Sequence, residues 1–162
     1  MTPKPPLTLL RKFQLLTLGE AFALAEGLTL MAVAAVAIQV LPFPVLGKIA
    51  ARPIRRPLTD PDKRRVTLDM VVWAVEVTAR RSRLRALCFE QGLTTQWMMR
   101  RRGIDSTLYW GAAPGDKDKP LKAHVWVMAD GLDVAGGEIA HQYAVLAKFP
   151  SDAVAGELSA QR

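Results

Sequence analysis

Two side chains in this chain could do covalent chemistry together. Cys88 is the only cysteine. Downstream, His124 stands within Ala123-His124-Val125-Trp126-Val127. A thiol becomes a nucleophile when its proton is drawn off, and a helix start or a neighbouring imidazole does that. Spacing predicts Cys88 in the first or second turn of a helix and His124 in the middle of a strand. Arg83 and Arg85 add positive charge beside the thiol. The expected chemistry is acyl transfer or peptide hydrolysis. Cys88 attacks the carbonyl, and His124 takes the thiol proton and returns it to the leaving amine. The Cys88 backbone N–H, with a donor such as Gln91, would hold the oxyanion.

Other chemistries have less to work with. One cysteine excludes an internal disulfide. One cysteine and two distant histidines make a poor zinc set, so no metal is expected. His141, in Ile139-Ala140-His141-Gln142-Tyr143, reads as part of a surface turn or short helix and is given no catalytic role. The glycine loop that cradles phosphate is absent, and no cofactor is expected.

The elements that must position this pair follow from periodicity. Residues 7–41 read as helical, and Pro42 and Pro44 end the segment. From Gly27 to Gly47 there is no charged residue, a length that could span a bilayer. The run is Ala-rich, so a buried or docking helix is the expectation and membrane contact the alternative. Residues 47–65 form a basic, proline-punctuated connector. Asp60-Pro61 starts the next helix, with Val66, Met70, Trp73, Ala74 and Val77 on one stripe. A helix from about residue 82 or 84 to Arg102 follows, ended by Gly103. Thereafter the period becomes two. Strands are expected at 107–111, 121–129 and from 132, with a polar loop at 114–120 and a hairpin turn at Asp130-Gly131. Helices first and an antiparallel meander second give an α+β fold.

The chain has 162 residues, 50% of them hydrophobic, enough for one core. Lys and Arg number 22 against 15 Asp and Glu, a net charge of +7. Such a balance suits an acidic peptide, an anionic membrane or a nucleic acid, although basic runs are usually solvated faces. Without a nucleic-acid motif or aromatic interleaving, nucleic acid is not an expected partner. A lone cysteine fits a reducing cytosol, and no cleavable signal is read at the N-terminus. The expected location is cytoplasmic, with membrane association as the alternative.

Trp73-Ala74-Val75-Glu76, Cys88, Met98-Met99-Arg100-Arg101-Arg102-Gly103-Ile104, Leu108-Tyr109-Trp110-Gly111 and Ala123-His124-Val125-Trp126-Val127 with Asp130-Gly131 together resemble the transglutaminase-like leader peptidases of lasso-peptide biosynthesis. The resemblance covers roughly residues 60–149. It implies a papain-like core with a Cys-His-acid site. It also implies removal of the leader from a ribosomally made precursor, before a separate ATP-using cyclase closes the macrolactam ring. Residues 1–60 look helical and apolar, unlike the family's peptide-recognition module, so a separate leader-recognition protein is the implied partner. The organisation expected is apolar helices and connector over 1–60, the catalytic core over 61–150 and a flexible tail over 151–162. The competing reading is a non-catalytic peptide- or partner-binding subunit with a basic surface facing membrane or polyanion.

The family's acid falls about a dozen residues after the histidine, and here Gly136-Gly137 stand there. A two-residue turn at Asp130-Gly131 would set His124 opposite Gly137. A three-residue loop would set Glu138 opposite it. Asp133 lies roughly 13 Å along the ladder from the histidine. Glu138 is the favoured orienter, with Asp133, or no acid at all, as the alternatives.

Overall fold

The computed structural model describes residues 16–50, 54, 56–81, 88–116 and 119–150. The element order is α1 (Leu18–Val40), α2 (Phe43–Ala50), α3 (Pro61–Arg81), α4 (Cys88–Arg101), β1 (Thr107–Asp116), β2 (Lys119–Ala129), β3 (Leu132–Ala135), a 3-10 helix (Gly137–Gln142) and β4 (Ala144–Phe149). The strands form one antiparallel sheet in the order β3-β2-β1-β4. The chain is α+β, with helices packed against one face of that sheet.

Local chemistry fixes the helix starts. Thr17 caps α1 in a capping box: its hydroxyl accepts from Glu20 N–H, and the Glu20 carboxylate accepts from Thr17 N–H. Asp60 caps α3, its Oδ1 accepting from the N–H groups of Asp62 and Lys63 at 3.1 Å each. Pro42 interrupts the helical run, as expected. Pro44 does not end helix formation, because it falls in the first turn of α2, where a proline has no hydrogen bond to lose.

The core joins small faces. Ala23, Gly27, Met31 and Ala34 form the buried seam of α1. The small Ala23, Gly27 and Ala34 bring the helix close to α3 and α4, and a Cβ on Gly27 would lie 3.2 Å from the Thr78 hydroxyl. Glu26 is only 8% exposed at its side chain and pairs with Arg101 and Arg102 near the end of α4. The basic triplet is therefore partly a structural clamp between α1 and α4. The other side of α1 stays apolar and exposed, with Phe22 65% and Val36 60% accessible. Among the described residues α1 is the one helix long and apolar enough to cross a membrane, a property that core helices also have.

Two expectations about the strands change. β1 and β2 extend to Asp116 and from Lys119, so most of the expected polar loop is strand. β4 was not expected, since its outward residues Val145 and Leu146 break the alternating pattern at a bulge. Residues 139–143 lie mostly within the 3-10 crossover joining β3 to β4. The expected tail at 151–162, residues 1–15 and the start of the helix before Cys88 lie outside the described residues.

Candidate active site

Cys88 is the first residue of α4 and is partly buried against the core. The helix sits on the sheet at Gly92, one turn further on. A Cβ there would meet Val125 Cγ1 at 2.6 Å and Leu108 Cδ1 at 3.4 Å, so only hydrogen fits between helix and strand. One turn beyond, Gln96 Nε2 donates to Ser106 O and Phe149 O, at the β1 and β4 ends of the core. The helix thus crosses the sheet from the β3 side toward the β4 side and also touches β3. Extended backwards, that line puts Cys88 at the β3 edge.

His124 lies in β2 opposite Gly111. Its neighbour Val125 points into the core against α4, as does Val127. The β1–β2 register is unbroken through this stretch, so strand alternation turns His124 and Trp126 to the other face. There the His124 ring stacks on Trp126, with centroids 6.1 Å apart, and Trp126 stacks on Tyr109 at 5.5 Å. Tyr143, at the end of the crossover, packs on the imidazole at 5.0 Å.

A carbonyl fixes the ring. His124 Nε2 lies 2.6 Å from Gly136 O. A carbonyl oxygen only accepts, so Nε2 carries the proton and Nδ1 is left as the basic nitrogen. Asp130 and Gly131 both take positive φ, the signature of a two-residue type I′ turn, and Ala129 pairs with Leu132. A bulge then carries β3 forward by one residue, and pairing stops at Val127 and Ala135. The chain leaves β2 just where Gly136 can swing its carbonyl onto the imidazole.

The expected acids are not on the ring. Glu138 is exposed in the first turn of the 3-10 helix. Asp133 Oδ1 accepts from Gly137 N–H at 2.9 Å. Among the described residues neither carboxylate hydrogen-bonds His124. The two-residue turn, not the three-residue loop, is the one formed; pairing ends at Ala135, and the 3-10 helix from Gly137 carries Glu138 off the strand before it can pair opposite His124. The expectation that Cys88 faces His124 also needs correction. No hydrogen bond joins them among the described residues, and alternation aims the imidazole away from the face that carries α4. Gln91, the expected oxyanion donor, lines a small cavity with Glu76, Ala79 and Arg80 beside the first turns of α4. His141 is exposed in the crossover.

Spacing did not single out the orienting carbonyl of Gly136. Its signal was the Gly-Gly pair standing where an acid was sought. Among the described residues no three of His, Cys, Asp or Glu gather as a metal set. No curated protein and no solved structure is matched by the chain. The family model of the transglutaminase-like superfamily matches residues 29–148, from within α1 into β4. With most of its length inside that match, and with helices set on a four-stranded antiparallel sheet, the chain belongs to the transglutaminase-like superfamily.

Proposed function

We propose that the protein is a cysteine peptidase that removes the leader from a ribosomally synthesised lasso-peptide precursor. The superfamily includes cysteine peptidases, which supports the coarser half of this reading. The observation that carries it within the chain is the Nε2–Gly136 carbonyl bond, which leaves Nδ1 as the base. Substrate binding at the abandoned edge of β2 would bring thiol and imidazole together, since catalytic hydrogen bonds often tighten only with substrate present. His124 Nδ1 takes the Cys88 proton and the thiolate adds to the scissile carbonyl. Collapse expels the amine, which takes the proton from the imidazolium. Water, deprotonated by the same nitrogen, then hydrolyses the thioester and restores the thiol. The oxyanion at each stage is held by the Cys88 N–H and a donor such as Gln91. The backbone carbonyl does the orienting task given to Glu138 or Asp133 above, without a third acid.

Leader recognition would come from a separate protein that holds the precursor and raises its effective concentration at Cys88. The released core would pass to a cyclase. The exposed apolar face of α1 is the docking surface in this reading, for that partner or for a membrane in a cytoplasmic setting.

The test mixes the purified chain with a lasso precursor, with and without its recognition protein, and follows leader release by mass. Release that needs the partner and is lost in Cys88→Ala supports the proposal. Release surviving Cys88→Ala removes the cysteine mechanism.

Two observations favour a second reading. The imidazole turned off the α4 face and the missing Cys88–His124 hydrogen bond fit a non-catalytic subunit that only holds peptide. Failure of Cys88 to react with a peptidyl electrophile, together with intact precursor binding, would select that reading.

A further inference from the structure

β3 is the outer strand of the sheet, and α3 runs beside it. Between them lies a cavity of about 820 Å³, lined on the helix side by Leu68, Val72 and Trp73 and on the strand side by Leu132 and Val134. The Arg64 guanidinium reaches Asp130 and joins helix to hairpin turn at one end. Glu76 closes the other end. It also lines the smaller cavity that holds Gln91, three residues beyond Cys88. The groove therefore leads from the hairpin turn to the start of α4. From Pro61 to Glu76 the helix advances roughly 22 Å. That accommodates about six extended residues.

The groove offers a peptide two kinds of contact. In a two-residue hairpin the pair flanking the turn is hydrogen-bonded, so the next residue, Asp133, turns its N–H and C=O outward. Asp133 lines the groove, and among the described residues no further strand pairs with β3 on its outer side. Leu132, 61% exposed, and the apolar side of α3 can take alternate side chains. The charge is equally specific. The rim carries four carboxylates, Asp69, Glu76, Asp130 and Asp133, against three guanidiniums: Arg64, which pairs with Asp130, Arg80, which pairs with Glu76, and Arg65. This net acidic groove stands in a chain of net charge +7.

We propose that the groove between α3 and β3 binds an extended, non-acidic peptide segment as an added strand on β3, with alternate apolar residues on Leu132, Val72 and Trp73. Strand addition supplies affinity through the backbone, and the alternating pockets and acidic rim supply selectivity. That this segment belongs to the substrate and is led to Cys88 rests on the peptidase reading; the groove itself does not.

The experiment uses Cys88→Ala protein, so binding is read without cleavage, and a phage-displayed library of random octapeptides as the probe. Selected sequences should carry apolar residues at alternate positions, favour Lys and Arg, and lack Asp and Glu. Synthetic copies should bind the Leu132→Arg and Val72→Arg variants at least tenfold more weakly, while Val145→Ser on β4, at the opposite edge of the sheet, binds normally. N-methylation of the peptide at alternate positions should abolish binding. No enrichment, acidic selected peptides, or binding unchanged in both groove variants overturns the proposal. Wild-type protein is then given the same peptides extended toward Cys88. Binding without cleavage keeps the groove and counts against the peptidase. Cleavage unaffected by either groove variant supports the peptidase and overturns the groove.

Discussion

His124 Nε2 lies 2.6 Å from the carbonyl oxygen of Gly136, twelve residues further along the chain. Gly136 holds that carbonyl in place at φ +75°, and a Cβ on it would stand 2.8 Å from Val125 O. Gly136→Ala should therefore shift the carbonyl, because the left-handed conformation alone costs an alanine about 1–2 kcal/mol. Nitrogen NMR of the His124 ring should read the Nε2–H tautomer in the parent and a tautomer mixture in the variant. An unchanged ring spectrum would show that the carbonyl does not hold the proton there.

Under the proposed mechanism, removal of Cys88 as nucleophile or His124 as base should abolish leader release. Cys88→Ala and His124→Ala are each expected to lower kcat by about 10³-fold or more. Glu138→Ala should change kcat by less than about threefold, because the ring nitrogen is already engaged by a carbonyl. A large loss in Glu138→Ala, measured by mass on the same precursor, would return that carboxylate to the site.

Gly92 is the point where α4 touches β2. Gly92→Ala gains about 1 kcal/mol in helix propensity. It also drives a methyl into Val125, at an overpacking cost of about 1–3 kcal/mol. A net loss of stability is expected in urea unfolding. The double variant with Val125→Ala should show a favourable coupling, since the two groups compete for one space.

Glu26 neutralises two arginines from a nearly buried position. Glu26→Gln leaves Arg102 partly buried beside an uncharged amide. A loss of about 1–3 kcal/mol is expected, little changed by salt, because the group it strands is shielded from solvent. A loss that disappears in 1 M salt would mark the cluster as a surface pair.

Acid should loosen the helix starts. Hydrogen bonds from the Lys63 backbone, then its side chain, hold the Asp60 carboxyl below its usual value. Those from the Thr17 backbone, then its hydroxyl, do the same for Glu20. A lowered folded value means that the stabilisation is present above the unfolded carboxylate value, near 4, and is lost as pH falls through the folded value. Asp60→Asn should flatten the acid side of the stability profile measured by thermal melts. An unchanged profile would show that the cap carries no proton linkage.

The chain itself determined what local patterns specify. Asp60-Pro61 starts a helix wherever it is followed by a turn of helix formers, and Asp130-Gly131 accepts the positive φ of a tight hairpin in any context. Cys88 on the helix that packs on the sheet, His124 on a strand and the α+β order follow from period and punctuation in the same way. What tertiary structure decided was register and face. The end of β3 pairing at Ala135 and the 3-10 helix from Gly137 choose whether the histidine meets a glycine carbonyl or a glutamate, and neither leaves a periodic trace. The packing of Val125 on Gly92 decides which way His124 points, since alternation fixes faces only relative to one another. The groove between α3 and β3 belongs to the same class: its two walls lie far apart in the chain, and only the docking of helix against strand brings them into one site.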